Sequence, residues 1–381
     1  MPGSESTTQR PDIDVKAFRA LLMPWYRRHA RPLPWRGITD PYKTWVSEVM
    51  LQQTRVAAVI AHYQEFLRRF PTLLALALAS EAEVLAAWSG LGYYRRARLL
   101  HQAAQFITRE LGGVLPSTST ELRTLPGIGD YTCAAIASIA FGESIAVVDG
   151  NVERVILRLT GHVEEAAVSA RASVQKVAQA LAPQKNGRAR GKGRAGEDGR
   201  TGENGHSRGN APGDHNQAMM ELGATLCLPR SPLCLQCPVF SMCKTRGEHR
   251  TLPRAAQRSR RTAYLLWLRK RGTATEVLLE RRPAEASLMA GMYELPPLPM
   301  DAVEGREPVL RVRHAITNTN FYVQVFAPRG RTDVLRSAVP AAEDDLEWVR
   351  TKTLAEVPLT GLARKILQRL DVMAIPRPGM A

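Results

Sequence analysis

No part of this 381-residue chain offers a run of 18 or more apolar residues. The most apolar stretch, Leu73 to Leu85, is interrupted by Ser80, Glu81 and Glu83. It is too short and too polar to span a bilayer, and it reads as packed helix. The start, MPGSESTTQRPDIDVK, lacks the apolar core of a signal peptide. The expectation is a soluble, cytoplasmic protein with no membrane partner. Cysteine is scarce, at five residues, and nothing suggests an oxidising compartment. Acidic residues are also outnumbered: 36 Asp and Glu against 52 Lys and Arg give a net charge of +16. That excess favours a polyanionic partner, most simply nucleic acid, over the plain alternative of a basic solvated surface. The length suggests about two domains.

What cysteine there is, is gathered in one place. Cys227, Cys234, Cys237 and Cys243 are separated by six, two and five residues, and only Cys133 lies elsewhere. Four thiolates this close bind a metal or an iron–sulfur cluster. The spacing leaves zinc and a cluster equally open, because four cysteines also close a tetrahedral zinc site. A pair of disulfides is the weaker third reading.

From about Val15 to Leu181 apolar residues recur every three or four positions, as in Val56, Val59, Ile60 and Tyr63, and predict helices throughout. Residues 184 to 214 are rich in Gly, Arg and charge and nearly free of large apolar side chains. They read as a disordered insertion, with a basic nucleic-acid tail as the sharper alternative. A basic connector, 247 to 261, follows the cysteines. Beyond it, AYLLWL, EVLLER, FYVQVF and LEWV predict short strands, and Leu362, Ile366, Leu367 and Leu370 share one helical face. The expected organisation is a helical domain over 15 to 246 and a separate α/β domain over 262 to 375.

Three further segments carry chemistry. LPGIGDYTCAAIASIAFG (125 to 142) is a Gly-rich turn entering a helix of small residues. Gly127 and Gly129 allow close backbone approach, and amides at a helix start hold a phosphate without reading sequence. A tight turn between packed helices is the structural alternative. In VVDGNVERVILRL (147 to 159), Asp149 precedes a helix and by itself reads as an N-cap. In LPWRGITDPYKTWVSEVMLQQTRV (33 to 56), Glu48 stands among Trp45, Val46, Val49, Met50 and Leu51. If buried there, its pKa rises and it can give a proton near neutral pH; if it snorkels to the surface, it does not. Gln52, Gln53 and Thr54 offer polar groups to base edges. Tyr93 and Tyr94 beside Arg95, Arg96 and Arg98 suit stacking on a base and gripping phosphate.

SEVMLQQT, LPGIG, VDGNVERV, NQAMMELGA and C-x6-C-x2-C-x5-C occur in this order. Together they resemble the helix-hairpin-helix DNA glycosylases that carry an iron–sulfur cluster, most closely the MutY adenine glycosylase branch. The resemblance spans nearly all of 15 to 375 apart from the insertion. It implies a multidomain fold: an all-α helix-hairpin-helix glycosylase domain with a [4Fe–4S] loop, then a C-terminal α/β Nudix-like domain. It implies a [4Fe–4S] cofactor on Cys227, Cys234, Cys237 and Cys243. It also implies a monomer acting on double-stranded DNA with A:8-oxoguanine or A:G mispairs, in base excision repair. The related endonuclease III branch takes oxidised pyrimidines and nicks the strand through a lysine after the hairpin, where this chain has Tyr131. That branch also lacks the C-terminal domain. A non-catalytic iron–sulfur protein that binds damaged DNA is the reading from another class, and Glu48 and Asp149 in full motif context speak against it.

The same resemblance assigns roles. Glu48 is the general acid that protonates adenine N7 in a base flipped out of the duplex, and Asp149 stabilises the oxocarbenium-like sugar. Tyr131 and Asn151 support them. Trp35, Arg36, Leu51 and Glu221 form the adenine pocket. Gln53, Thr54 and Tyr93 fill the gap and probe the opposite base, while Gly127 and Gly129 hold the phosphate. The C-terminal domain lacks the clustered glutamates of a nucleotide pyrophosphatase. Where many family members place Phe-Ser-His against 8-oxoguanine, this chain has Ile316, Thr317 and Asn318. Thr317 and Asn318 are therefore the candidates for lesion contact.

Overall fold

The computed structural model describes residues 13–162, 168–184, 210–249, 256–286, 288–330, 333–340 and 342–374. Most of the insertion expected over 184 to 214, and part of the connector at 247 to 261, lie outside the described residues. In chain order the helices are α1 (Val15–His29), α2 (Pro41–Leu51), α3 (Val56–Arg69), α4 (Leu73–Leu78), α5 (Glu81–Trp88), α6 (Arg95–Glu110), α7 (Ser119–Leu122), α8 (Asp130–Ile139), α9 (Gly150–Thr160), α10 (Val168–Leu181) and α11 (Ala211–Thr225). Eight strands and a last helix follow: β1 (Arg258–Leu265), β2 (Leu268–Arg271), β3 (Ala274–Arg281), β4 (Tyr293–Glu294), β5 (Pro297–Leu298), β6 (Leu310–Ile316), β7 (Thr319–Phe326), β8 (Leu346–Arg350) and α12 (Gly361–Arg369). A helical first part followed by an α/β region is the architecture that the sequence predicts.

The chain divides into two compact units. The first comprises residues 1–52 and 114–253, the second 53–113 and 254–381. The units divide after residue 253, and the second also takes in α3–α6, which the sequence periodicity places in the helical domain.

In the first unit, Phe18, Leu22, Trp25 and Tyr26 of α1 bury against Val155, Ile156 and Leu159 of α9 and Ala218, Met219 and Leu222 of α11. Helices α9 and α11 approach so closely at Gly223 that an added Cβ would stand 2.7 Å from the Asn151 Cβ. Only glycine fits there without moving the backbone. Helix α2 starts at Asp40, whose carboxylate accepts from the amides of Tyr42 and Lys43. Every residue from Thr44 to Met50 is buried, so this stretch of α2 is core on all sides, and Lys43 in the first turn is what reaches solvent. Helix α8 is buried from Thr132 to Ile139, Cys133 included.

In the second unit, Phe66 of α3 packs edge-on against Trp88 of α5, ring centroids 5.9 Å apart. The stretch Leu73–Leu85, read from sequence as one helix, is two. Ser80 interrupts it with a capping box: its hydroxyl accepts from the Glu83 amide, and the Glu83 carboxylate accepts from the Ser80 amide. One sheet runs β5-β1-β7-β6, with β1 and β7 parallel and β6 and β7 forming an antiparallel hairpin. In the other, β3 pairs antiparallel with β2, β4 and β8. Helix α12 buries Leu362, Ile366 and Leu367 against Val277, Leu279, Val312 and Val323 of the two sheets.

Candidate active site

Glu48 lies within the buried stretch Thr44–Met50 of α2, and its side chain is buried rather than snorkelling to solvent. Its Oε2 accepts the Tyr131 hydroxyl, delivered from the first turn of α8. Burial pushes the Glu48 carboxyl up to about 7. The Tyr131 hydrogen bond and the Arg36 charge pull it down, while nearby Asp149 raises it further. Tyr131 is held well above its usual pKa, first by burial and then by Glu48 and Asp149. Its hydroxyl therefore stays a donor.

Asp149 is the N-cap of α9. Its Oδ1 accepts from the amides of Asn151 (3.0 Å) and Val152 (2.8 Å), and its Oδ2 from the Asn151 side-chain amide (2.8 Å). The Asn151 carbonyl oxygen in turn accepts from Arg154 at 2.8 Å, and the same guanidinium nitrogen reaches the Gly223 carbonyl at 2.7 Å. The cap role and a place beside Glu48 thus coexist in one residue, with Asn151 and Arg154 fixing its rotamer.

Glu221 of α11 is buried among cations. Its oxygens accept from Arg31 Nε and Arg36 Nη2, each at 2.7 Å, and from Arg31 Nη2 at 3.0 Å. Burial would raise its pKa, but the Arg31 hydrogen bond and the two charges outweigh that and hold it low. Arg36 also donates to the Tyr26 hydroxyl and stacks over that ring at 5.2 Å. Trp35 is buried, and Leu51 ends α2 half-buried. Sequence reasoning missed Arg31, Tyr26 and Gln217, whose Oε1 accepts from the Tyr26 hydroxyl at 2.8 Å. The first two stand in YRRHARPLPWR, where adjacent arginines do not reveal which of them turns inward.

The hairpin is formed by α7, the turn Leu125–Gly129, and α8. Gly127 takes φ +73°, and Gly129 is the N-cap of α8; both are exposed. Gln52 is drawn back onto this helix, donating to Thr132 Oγ1 at 3.0 Å.

The remaining candidates belong to the second unit. Gln53, Tyr93 and Thr317 have φ of +56°, +50° and +53°, among seven non-glycine residues with positive φ within the described residues. Such conformations cost energy and concentrate at functional sites. Arg96 joins two candidates: it donates to Thr54 Oγ1 at 3.1 Å, and its guanidinium lies 5.2 Å from the exposed Tyr93 ring. Thr317 and Asn318 are the exposed two-residue tip of the β6–β7 hairpin, closed by the Ile316–Thr319 pair.

The four cysteines follow α11: Cys227 just past its end, Cys234 opening the 3-10 turn Cys234–Gln236, Cys237 closing that turn, and Cys243 closing the turn Phe240–Met242; none is in a disulfide. Buried Arg158 brackets their loop, donating to Cys227 Sγ at 3.3 Å and to the Leu228 and Pro229 carbonyls. The Arg246 amide points at Cys243 Sγ at 3.4 Å. Burial pushes Cys237 up to about 11, and Cys227, Cys243 and Cys234 add to it, so the four lie within electrostatic reach of one another. N–H donors aimed at sulfur suit thiolates, and this donor set fits an iron–sulfur cluster. Among the described residues, no three His, Cys, Asp or Glu side chains converge on a single metal ion.

Residues 46–182 match the family model of the HhH-GPD superfamily base excision DNA repair protein. Over that span the chain is similar to this superfamily. The matched span includes Glu48, Tyr131, Asp149 and Asn151. The adenine DNA glycosylase of Homo sapiens is 45% identical over 249 residues, covering 62% of this chain and 41% of the human protein. That of Arabidopsis thaliana is 34% identical over 337 residues, covering 77% of this chain and 48% of the relative. The chain thus spans about half the length of the curated relatives it matches. A thermostable thymine-DNA glycosylase structure superimposes with a TM-score of 0.51 at 26% identity, covering 61% of this chain and 96% of that one. No helix among the described residues is long and apolar enough to cross a membrane.

Proposed function

We propose that this chain is a monofunctional adenine DNA glycosylase. It hydrolyses the N-glycosidic bond of adenine mispaired with 8-oxoguanine or guanine in duplex DNA. The observation that carries this reading is the buried Glu48, with a carboxyl near pH 7, bonded to Tyr131 and electrostatically coupled to Asp149. Adenine is a poor leaving group until protonated, and a carboxyl of this pKa gives a proton near neutrality. Because Oε2 accepts from Tyr131, Oε1 is the oxygen that presents the acid proton to the base. As the bond between the sugar C1′ and adenine breaks, the Asp149 carboxylate faces the positive charge left on the sugar. Water then adds at C1′ and releases a proton, leaving an abasic strand and free adenine. Tyr131 has no amine, so no Schiff base forms and the strand stays intact.

Arg36 and Trp35 line the adenine pocket with Leu51, and Glu221 holds Arg36 in place. Gly127 and Gly129 grip a phosphate from the exposed hairpin. Cys227, Cys234, Cys237 and Cys243 hold a [4Fe–4S] cluster, which when bound anchors the basic loop around Arg158 and Arg246. In the C-terminal domain, of Nudix-like type, Thr317 and Asn318 read the opposite base. Single-turnover cleavage of duplexes containing A opposite 8-oxoguanine, A opposite G, and thymine glycol tests the assignment. Adenine release from the first two, without nicking before hot alkali, supports it. Activity on thymine glycol with borohydride trapping overturns it in favour of a pyrimidine glycosylase and lyase.

A further inference from the structure

Tyr93 stands in the loop between α5 and α6, exposed and at positive φ. The residues that flank it do the opposite: Ser89 and Tyr94 are buried, and both hydroxyls donate to one acceptor, the carbonyl oxygen of Leu359, at 2.7 and 3.3 Å. Arg364 of α12 donates to Ser89 Oγ at 3.0 Å. Leu359 is itself fixed, because its neighbours bracket Tyr293 of β4. The Tyr293 amide donates to the Pro358 carbonyl, and the Thr360 amide to the Tyr293 carbonyl, each at 2.9 Å. A second tie runs from Arg98 of α6 to the Ala290 carbonyl. All of these residues lie in the second compact unit.

We propose that the Leu359 carbonyl is the anchor that positions Tyr93, and that Ser89 and Tyr94 are positioning residues through which the C-terminal segment sets the opposite-base probe. Two hydroxyls on one carbonyl fix both ends of a six-residue loop, so the strained Tyr93 backbone is held from each side. Arg96 extends the device to Thr54. The C-terminal segment then acts on mispair recognition at two places: directly at the Thr317–Asn318 tip, and through the loop that presents Tyr93. The inference rests on the glycosylase reading for Tyr93's role, but the anchoring itself can be tested without it.

The test uses the full chain with Ser89→Ala and Tyr94→Phe combined, in the presence of Tyr93 and in a Tyr93→Ala background. With Tyr93 in place, affinity for the A:8-oxoguanine duplex should fall about 5- to 10-fold. In the Tyr93→Ala background the same pair should cost less than about twofold, because residues acting as a unit are not additive. Equal losses in both backgrounds would overturn the proposal. If the pair fails to fold, Tyr94→Phe alone, which deletes one oxygen and keeps the ring, carries the same comparison. Amide exchange across 89 to 95 should accelerate at least about 10-fold in the variant while α8 is unchanged; unaltered protection would also overturn it. Should the wild-type protein release no adenine, the proposed activity falls, and the exchange result still decides the anchor.

Discussion

The Tyr131 hydroxyl donates to Glu48 Oε2, from the first turn of α8 to the interior of α2. This bond steadies a carboxylate that burial opposes, and the balance leaves Glu48 near pH 7. Glu48→Gln should lower adenine release by about 10²–10⁴-fold while duplex binding changes little, since the amide keeps the acceptor but has no acid proton. Single-turnover rates within threefold of wild type would remove Glu48 from the mechanism. Stability should move the other way. With a folded pKa of about 7 against an ordinary 4.5, wild type is favoured while Glu48 is protonated and loses stability as pH rises through that window. The loss across the whole window is on the order of 3–4 kcal/mol. The melting temperature of Glu48→Gln relative to wild type should therefore be higher at pH 8 than at pH 5. A pH-independent difference would mean that the side chain is hydrated.

Tyr131→Phe removes the donor that favours the charged form of Glu48, so the acid's pKa should climb. The alkaline fall of the pH–rate profile should move to higher pH, and an unmoved limb would assign that fall to another group. Tyr131→Lys places an amine where the hydroxyl stood. It should confer strand nicking and borohydride trapping on duplexes that wild type leaves intact.

Most of this constellation is legible in the residues themselves. An acidic side chain inside WVSEVML has to be buried when that stretch of α2 is buried on every side. The Asp before NVERVILRL is a cap because the helix needs one. The strands β1, β3, β7 and β8 stand where the β-rich runs predict them. Less legible is what depends on residues far apart in sequence. Nothing in GLGYYRRARLL announces that Ser89 and Tyr94 meet a carbonyl some 270 positions away, or that α3–α6 pack with the last third of the chain. Helical periodicity shows which face is buried but not against what. Arg31 and Arg158 were hidden for a related reason: an arginine reads as surface until its buried partners, Glu221 and the Leu228 carbonyl, are in place.

Asp149 caps α9, and substitution separates that duty from its proposed catalytic one. Asparagine is as good an N-cap, and its Oδ1 can keep the amides of Asn151 and Val152. Asp149→Asn should cost about 0.5–1.5 kcal/mol in stability, because the bond from the Asn151 side-chain amide to Oδ2 is lost, but at least about 10²-fold in rate. Asp149→Ala should lose the cap as well, about 1 kcal/mol. If the Asn variant melts lower and cleaves at the wild-type rate, Asp149 is a cap alone.

The thiols around Arg158 lead to a spectroscopic prediction. Protein made with adequate iron should be brown and contain about four irons per chain. Cys237→Ser should lose colour and duplex affinity before it alters the pH–rate profile, because no acid or base of the site lies in that loop. Stoichiometric zinc and no visible absorbance would reverse the assignment.

Thr317 sits at φ +53° at the exposed hairpin tip, a β-branched residue where glycine is at ease. Strain of this kind costs on the order of 1–3 kcal/mol and persists where it serves contact. Thr317→Gly should hold or raise the melting temperature, since relief of strain offsets the added freedom of the unfolded chain. It should nonetheless weaken binding to the 8-oxoguanine duplex more than to the guanine duplex. Thr317→Ala with Asn318→Ala should sharpen that contrast, each lost base contact being worth about 1–3 kcal/mol. The Asn318 backbone carbonyl, which accepts from the Arg258 amide at 2.9 Å, is untouched by either change, so the β6–β7 hairpin keeps its place beside β1. Substituting the tip rather than cutting away the C-terminal segment matters, because truncation also takes Leu359 from Ser89 and Tyr94. A truncated chain would lose the anchor of the Tyr93 loop together with the tip proposed to contact the lesion. Equal losses on guanine and 8-oxoguanine duplexes in the tip variants would mean that the tip grips backbone only, and that the opposite base is read elsewhere.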